Sequence, residues 1–343
     1  MTPRLRRARG SVAFIATVAA TALVATACGS SDPGGAAESA GADPGFPVSI
    51  KSVRGVAEIK SKPRRVVTLG AGSTEAAIAL GTIPVGMPDA DVDDPDGITP
   101  WVKSKLGDSK PEMLARNSNA IPMEKIAALQ PDVILAVNSG LTTEQYERLS
   151  KIAPTVAQPG KDWLTSWEDQ ATLVGKALGK ETEAKGLVDS THALVAETKA
   201  KHPEFTGKTV AVATGIADGG LGYYFGEDSR VRILTSLGFT LLPAVAKLGE
   251  SAGPGKFSSL VSWENISGYD PDVLTAWFPN TAKLQATEAS TAFTALRSVR
   301  RKAFVPITDK AMVIAVSSPN VLDMSWLLDR YVPQLSAAAK NEG

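Results

Sequence analysis

Short apolar runs rich in Val, Ile, Leu and Ala alternate with amphipathic stretches through most of this chain. Arg65–Leu69, Asp132–Val137 and Pro154–Ala157 read as strands. Thr74–Leu80, stopped by Gly81, and Thr143–Ile152 read as helices, and Ile83–Gly86 reads as extended. The plan then recurs: strand Thr209–Ala213, a long loop, helix Ser229–Leu237 stopped by Gly238, extended Phe239–Leu242, strand Asp272–Ala276, helix Ala292–Val299 and strand Ala303–Ile307. Alternation of this kind implies parallel sheets with crossover helices. Between the two halves, Ala184, Leu187, Val188, Thr191, Leu194, Val195 and Thr198 fall at helical spacing with charges on the other face. Glu181–His202 therefore reads as one helix about 33 Å long. The fold class is α/β, with two Rossmann-like lobes joined by one long α-helix.

The start of the chain follows different rules. Arg4, Arg6, Arg7 and Arg9 precede an apolar run from Ser11 to Ala25, too short to span a bilayer comfortably, so residues 1–27 read as a signal peptide. Cys28 is the only cysteine, which excludes a disulfide framework and a cysteine zinc site. The string Leu23-Val-Ala-Thr-Ala-Cys-Gly-Ser-Ser31 resembles a bacterial lipobox, whose cysteine becomes the lipidated N-terminus. Residues 28–47, rich in Ser, Gly, Ala, Pro and Asp, read as a flexible tether. Arg6-Arg7 leaves the choice of export route open. The remaining length suits two lobes, an N-terminal one over 48–165 and a C-terminal one over 206–343, with the helical segment 166–205 between them. Lys and Arg balance Asp and Glu at 36 each, and removing residues 1–27 takes away four arginines and no acids. A mature chain of net charge about −4 offers no basic face to nucleic acid.

One pattern occurs twice. Met123-Glu-Lys-Ile-Ala-Ala-Leu-Gln-Pro-Asp-Val-Ile-Leu135 matches Trp263-Glu-Asn-Ile-Ser-Gly-Tyr-Asp-Pro-Asp-Val-Leu-Thr275, with Glu124 and Pro131 spaced as Glu264 and Pro271 are. In each copy a Glu opens a short helix and Pro-Asp-Val starts a buried strand. A Glu in a first helical turn gains about 0.3–1 kcal/mol from the helix dipole, and duplication of a half-domain would keep the spacing without any further role. Either way, matched carboxylates stand at matched places on two lobes.

Open α/β sheets bind ligands beyond the carboxyl ends of their strands. The loops placed there carry Trp101, Tyr223, Tyr224, Trp277 and Trp326 as candidate aromatic walls, and Arg116, Arg230 and Arg232 as candidate cations. Trp163 and Trp167 flank the exit from the first lobe, placed either to line the cleft or to pin the linker, and Trp167 reads as packing. Several alternatives fail on residue supply. His192 and His202 are the only histidines, both on the linker helix and about 80° apart around it, which disfavours free metal capture. An exported hydrolase would need a nucleophile elbow and a general base, and neither is present outside the linker. Gly249–Ser258 has the wrong spacing for a phosphate loop.

Lys62-Pro-Arg-Arg-Val-Val-Thr-Leu69, Ser73-Thr-Glu-Ala-Ala-Ile-Ala-Leu-Gly81, Leu129-Gln-Pro-Asp-Val-Ile-Leu135 and the linker helix, in that order behind a lipobox, resemble the ABC-transporter substrate-binding proteins that serve ferric siderophores, haem and cobalamin. The resemblance implies a ligand cleft between the lobes, small domain closure and no enzyme activity. It implies that Glu124 and Glu264 dock on arginines of a membrane permease, and that the protein is a monomer lipid-anchored through Cys28 to the outer face of the bacterial cell membrane. A ferric siderophore is the leading ligand, with haem next and cobalamin third; Tyr223 or Tyr224 keeps haem ligation open. No cofactor and no iron ligand from protein are implied. Arg116, Arg230, Trp101, Tyr223, Tyr224 and Trp277 are the expected ligand contacts, with Arg116 in a loop longer than is usual for that family.

Overall fold

The computed structural model describes residues 45–115, 121–253 and 255–341. Cys28, the expected signal peptide, most of the expected tether and Arg116 lie outside the described residues. The described chain opens with an antiparallel hairpin, β1 (Val48–Lys51) and β2 (Val56–Ile59). Its period-2 alternation turns Val48, Ile50, Ala57 and Ile59 inward. Packing begins just before it. Phe46 is buried against Gly179, where an added Cβ would come within 2.7 Å of the phenyl ring.

The first lobe runs β3 (Val66–Thr68), α1 (Ser73–Ala79), β4 (Gly86–Pro88), α2 (Pro100–Leu106), β5 (Glu112–Leu114), α3 (Met123–Ala128), β6 (Val133–Ala136), α4 (Thr143–Ser150) and β7 (Thr155–Ala157). All five sheet strands are parallel, in the order β5-β4-β3-β6-β7. Helices α5 (Trp167–Ala177) and α6 (Glu181–Lys201) follow; α6 spans 21 residues, or about 31 Å.

The second lobe comprises β8 (Thr209–Thr214), β9 (Gly220–Tyr224), α7 (Ser229–Ser236), β10 (Thr240–Leu241), α8 (Pro243–Ser251), β11 (Ser258–Ser262), β12 (Val273–Trp277), α9 (Thr281–Glu288), α10 (Thr291–Thr294), α11 (Arg297–Arg300), β13 (Phe304–Ile307), α12 (Lys310–Ser317) and α13 (Met324–Lys340). Its sheet order is β11-β9-β8-β12-β13, with β10 paired to the start of β8.

The repeated Pro-Asp-Val has the same structural job in both lobes. Asp132 accepts from the backbone N–H of Arg64 at 2.7 Å and of Arg65 at 3.0 Å, just before β3. Asp272 accepts from the backbone N–H of Thr209 at 2.9 Å, at the first residue of β8. Each aspartate thus ties its own interior strand, β6 or β12, to the start of the neighbouring central one, β3 or β8. The valine that follows is fully buried in both copies.

Three expected elements differ. The long loop after β8 holds β9, which pairs antiparallel with both β8 and β11. Gly219, at φ +84°, makes the turn that reverses the chain. The expected helix Ala292–Val299 is broken into α10 and α11, because the Asp270 carboxylate accepts from the N–H groups of Arg297 and Ser298 and caps a fresh start. The second Glu copy leads into a 3₁₀ turn, Ile266–Tyr269, rather than an α-helix, with Glu264 in the turn before it. Ser267-Gly268 stands there in place of Ala127-Ala128, a poorer helix-forming pair.

At the exit of α6, Glu204 ties the linker to the C-terminal helix. Its carboxylate accepts from Ser336, contacts His202 at 3.0 Å and pairs with Lys340 at 3.1 Å. Burial would raise its pKa, but the hydrogen bonds from Ser336 and His202 outweigh that and hold it at about 2, below the ordinary 4.5. A depressed carboxylate contributes stability above its unfolded pKa and loses it as pH falls through the folded one. We expect Glu204→Gln to lower the melting temperature at pH 6–7, with the difference from wild type shrinking between about pH 4.5 and 2, as read by thermal melts across that range. A constant difference down to pH 2 would mean that the charge has no part in the clamp.

Candidate functional site

In the first sheet the chain leaves β3 in both directions, to β4 on one side and β6 on the other. That switch opens a crevice at the carboxyl ends of the strands. The loops after β3 and β6 meet there closely. A Cβ on Gly70 would lie 2.7 Å from the Ala136 backbone, and Ser73 Oγ accepts from the Val137 N–H at 3.3 Å. Opposite them stand the ends of β12 and the face of α12 from the second lobe. Together the two lobes enclose a cleft of about 890 Å³, within the range usual for small-molecule sites.

The floor of this cleft is apolar and shared. Met87 and Val102 line it and also belong to a core that continues into the second lobe through Met324, Leu327 and Leu328. Trp101 lies beneath the floor, 4% exposed, edge-on to Trp326 with ring centroids 5.0 Å apart. Its indole N–H reaches Glu75 at 3.3 Å. The expected wall position of Trp101 is therefore corrected: its Pro100-led helix turns the indole into the junction of the lobes.

Arg230 lines the cleft, and its surroundings are built around it. Asp228 caps α7 and takes two hydrogen bonds from Arg230 Nη1, at 3.0 and 2.8 Å. Arg230 Nε donates to Ser317 Oγ at 3.2 Å, and the guanidinium lies 4.2 Å over the Tyr224 ring. Burial raises the Asp228 pKa, against the pull of Arg230. Trp277 also lines the cleft, its indole N–H donating to the Tyr224 hydroxyl at 3.0 Å. Tyr224 is consequently a layer behind, 3% exposed, supporting both neighbours.

Tyr223 is placed elsewhere. Alternation along β9 turns it to the opposite face, fully buried among Leu221, Phe278 and Phe293, with its hydroxyl donating to the Tyr269 carbonyl at 3.1 Å. Burial pushes the phenol pKa of both tyrosines up, away from the phenolate that ligates iron. The expected role of Tyr223 and Tyr224 as loop residues facing a ligand is corrected by β9, which holds both in a buried strand.

The cleft also contains residues outside the set of expected ligand contacts, and of the two alternatives for Trp163 it is the cleft-lining one that holds. Trp163 is the largest: 46% exposed, at φ +65°, its indole packed over the backbone of Gly140, where a Cβ would meet Nε1 at 2.4 Å. Positive φ is a costly conformation for so bulky a residue, and the loop is tied down around it. Asp162 accepts from Arg54 at 3.0 Å and from Gln158, while Ser139 donates to Gln158 at 2.9 Å. The turn-forming Gln158-Pro-Gly-Lys-Asp162 was the available signal. Lys310, at the start of α12, reaches across to Asp93 at 3.1 Å and Asp91 at 3.6 Å. The hydrogen bond to Asp93 is the main cause of its raised pKa. Lys161 makes a second cross-lobe pair with Glu227.

Glu124 and Glu264 are exposed and outside the cleft. Glu124 follows β5, and Glu264 follows β11, which runs parallel to β8 because both are antiparallel to β9. Both therefore sit at the carboxyl-end side of their sheets, the side on which the cleft opens. Hydrogen bonding by Ser262 lowers the Glu264 pKa.

Two lobes, one linking helix and a cleft at the strand ends form a known architecture, and the sequence pattern of the periplasmic binding proteins matches residues 66–308. The chain belongs to that family. Family members are substrate-binding proteins rather than enzymes. Among periplasmic binding proteins, this one is 30% identical over 227 residues to the probable siderophore-binding lipoprotein YfiY of Bacillus subtilis, covering 66% of this chain and 67% of that protein. Streptococcus pneumoniae PiaA, solved in complex with ferrichrome, superposes with a TM-score of 0.76 at 28% identity, covering 86% of this chain and all of that one. Staphylococcus aureus SirA, solved with staphyloferrin B, gives 0.70 at 29% identity, covering 84% of this chain and 98% of that one.

Tyr223→Phe removes one buried hydrogen bond on the far side of the sheet. It should lower stability by about 0.5–1.5 kcal/mol in denaturant melts while leaving ligand affinity unchanged. A loss of affinity without loss of stability would return Tyr223 to the site.

Proposed function

We propose that this protein is the extracytoplasmic substrate-binding lipoprotein of an ABC importer, and that it captures a ferric siderophore in the interlobe cleft and delivers it to a membrane permease. The observation that carries this reading is the cleft itself, with an apolar floor common to both lobes and indoles from each, Trp163 from the first and Trp277 from the second. A ferric siderophore is a bulky complex whose chelator already saturates the metal. It needs shape, aromatic surface and a few hydrogen bonds, and no iron ligand from protein. The description of YfiY as a probable siderophore-binding lipoprotein, and the ferrichrome and staphyloferrin B solved with PiaA and SirA, support the same ligand class.

In this reading Trp163 and Trp277 pack on the arms of the chelate and Arg230 donates to its oxygens. Arg116, in sequence between the cleft-lining Ala115 and Ile121, is a further candidate donor. Glu124 and Glu264 dock on basic groups of the permease. Exposed ion pairs contribute only about 0.2–1 kcal/mol each, so two of them set register more than affinity. That suits a carrier that must dock, deliver and leave. Cys28 holds the chain to the membrane by its lipid.

Purified full-length protein titrated with ferrichrome, ferrioxamine B, ferric citrate and ferric enterobactin, and with haem and cobalamin, tests this directly. At least one ferric chelate should bind with quenching of tryptophan fluorescence. Trp163→Ala should remove a large part of that quench and weaken binding tenfold or more, at nearly unchanged thermal stability. Binding of haem or cobalamin alone would overturn the ligand assignment.

Glu124→Ala combined with Glu264→Ala should abolish uptake by cells while affinity moves less than about threefold, or roughly 0.65 kcal/mol. Uptake that merely follows a large affinity loss would place these residues in ligand binding. Cys28→Ala should release the folded protein from the membrane fraction; full retention there would reject the anchor.

A further inference from the structure

The described cations lining the cleft are already paired with the protein's own carboxylates, and this bears on which ferric chelate fits. Arg230 is the described arginine that lines the cleft, and its guanidinium is engaged by both oxygens of Asp228, a residue 3% exposed. Lys310, the other described cation lining the cleft, faces Asp93 at 3.1 Å and Asp91 at 3.6 Å. Glu75, Asp89 and Asp91 line the same space. Among the described lining residues, three carboxylates therefore stand against two cations. Asp228 behind Arg230 and Asp93 beside Lys310 tip the balance further. Adding the full charge of Arg116 would bring the lining to neutrality and no further.

A cleft with apolar walls focuses the field of the charges it holds, so the sign of this balance matters to any ligand that carries a net charge. A tris-catecholate complex of Fe(III) is triply negative and would meet carboxylates whose opposing cations are already spoken for. To gain a net positive charge from Arg230 it would have to displace a buried aspartate. Three hydroxamates cancel the charge of Fe(III), and an amine-bearing arm makes the whole complex cationic. We propose that the ligand is a neutral or cationic ferric chelate of the hydroxamate type, with Arg230 acting as a hydrogen-bond donor rather than as a net positive charge. This rests on the siderophore reading above and adds to it the chemical class of the ligand.

The test compares affinities of the full-length protein for ferrioxamine B (cationic), ferrichrome (neutral) and ferric enterobactin (triply negative) at one ionic strength. Ferrioxamine B or ferrichrome should bind at least tenfold more tightly than ferric enterobactin. Asp228→Asn, which keeps the helix cap while freeing the charge of Arg230, should narrow that ratio severalfold. Asp91→Asn, at an exposed position with little risk to folding, should narrow it in the same direction through Lys310. Tightest binding to ferric enterobactin by the wild type, or a ratio unmoved in both variants, overturns the proposal. Failure of all three ferric chelates to bind strikes instead at the siderophore reading on which it rests.

Discussion

The two lobes share one apolar core, and the cleft exists because of it. Ile78, Met87, Trp101, Val102 and Leu106 of the first lobe pack continuously with Met324, Leu327, Leu328 and Tyr331 of the second. The edge-on contact of Trp101 with Trp326 lies at the seam. Aromatic pairs of this geometry add about 0.5–1.5 kcal/mol beyond the area they bury, and each large side chain buried there adds about 1.5–3 kcal/mol. The cross-lobe ion pairs, Lys310 with Asp93 and Lys161 with Glu227, are exposed and belong to the class worth about 0.2–1 kcal/mol. Burial decides how the lobes sit; the ion pairs trim the mouth above.

A cleft standing on a buried seam is formed before its ligand arrives. That limits how much the lobes can close without exposing Trp101 and its neighbours. The side chains proposed for recognition are already held: Trp163 by its strained loop and Gly140, Arg230 by Asp228 and Ser317, and Trp277 by Tyr224. Pre-organisation of this kind saves ordering entropy on binding. The carboxylates proposed for docking, Glu124 and Glu264, are exposed and stand apart from the cleft.

Much of the architecture was legible in the chain. Both Pro-Asp-Val strings mark interior buried strands, and the spacing of Ala184 to Thr198 marked the helix joining the lobes, because periodicity and burial coincide there. The lobe-to-lobe seam was not legible. Trp101 carries the same letter whether its indole faces a ligand or a core, and only the packing of α2 and α13 decides. Tyr223 and Tyr224 were misplaced because Gly219-Gly220 reads as loop, while here it turns the chain into a strand. Trp163 was left ambiguous for a related reason: its positive φ and its contact with Gly140, distant in sequence, come from tertiary structure. Arg230 was found, but the carboxylate that neutralises it two residues earlier was passed over, since an N-cap aspartate normally faces solvent.

The central claim is that the shared core fixes the lobes and leaves a cleft ready for its ligand. Distances between spin labels at Glu144 on the first lobe and Lys247 on the second, measured by double electron–electron resonance with and without the bound ferric chelate, test it most directly. The account predicts one narrow distribution whose centre moves by less than about 2 Å on binding. A broad distribution in the free protein, or a larger shift toward closure, would contradict it.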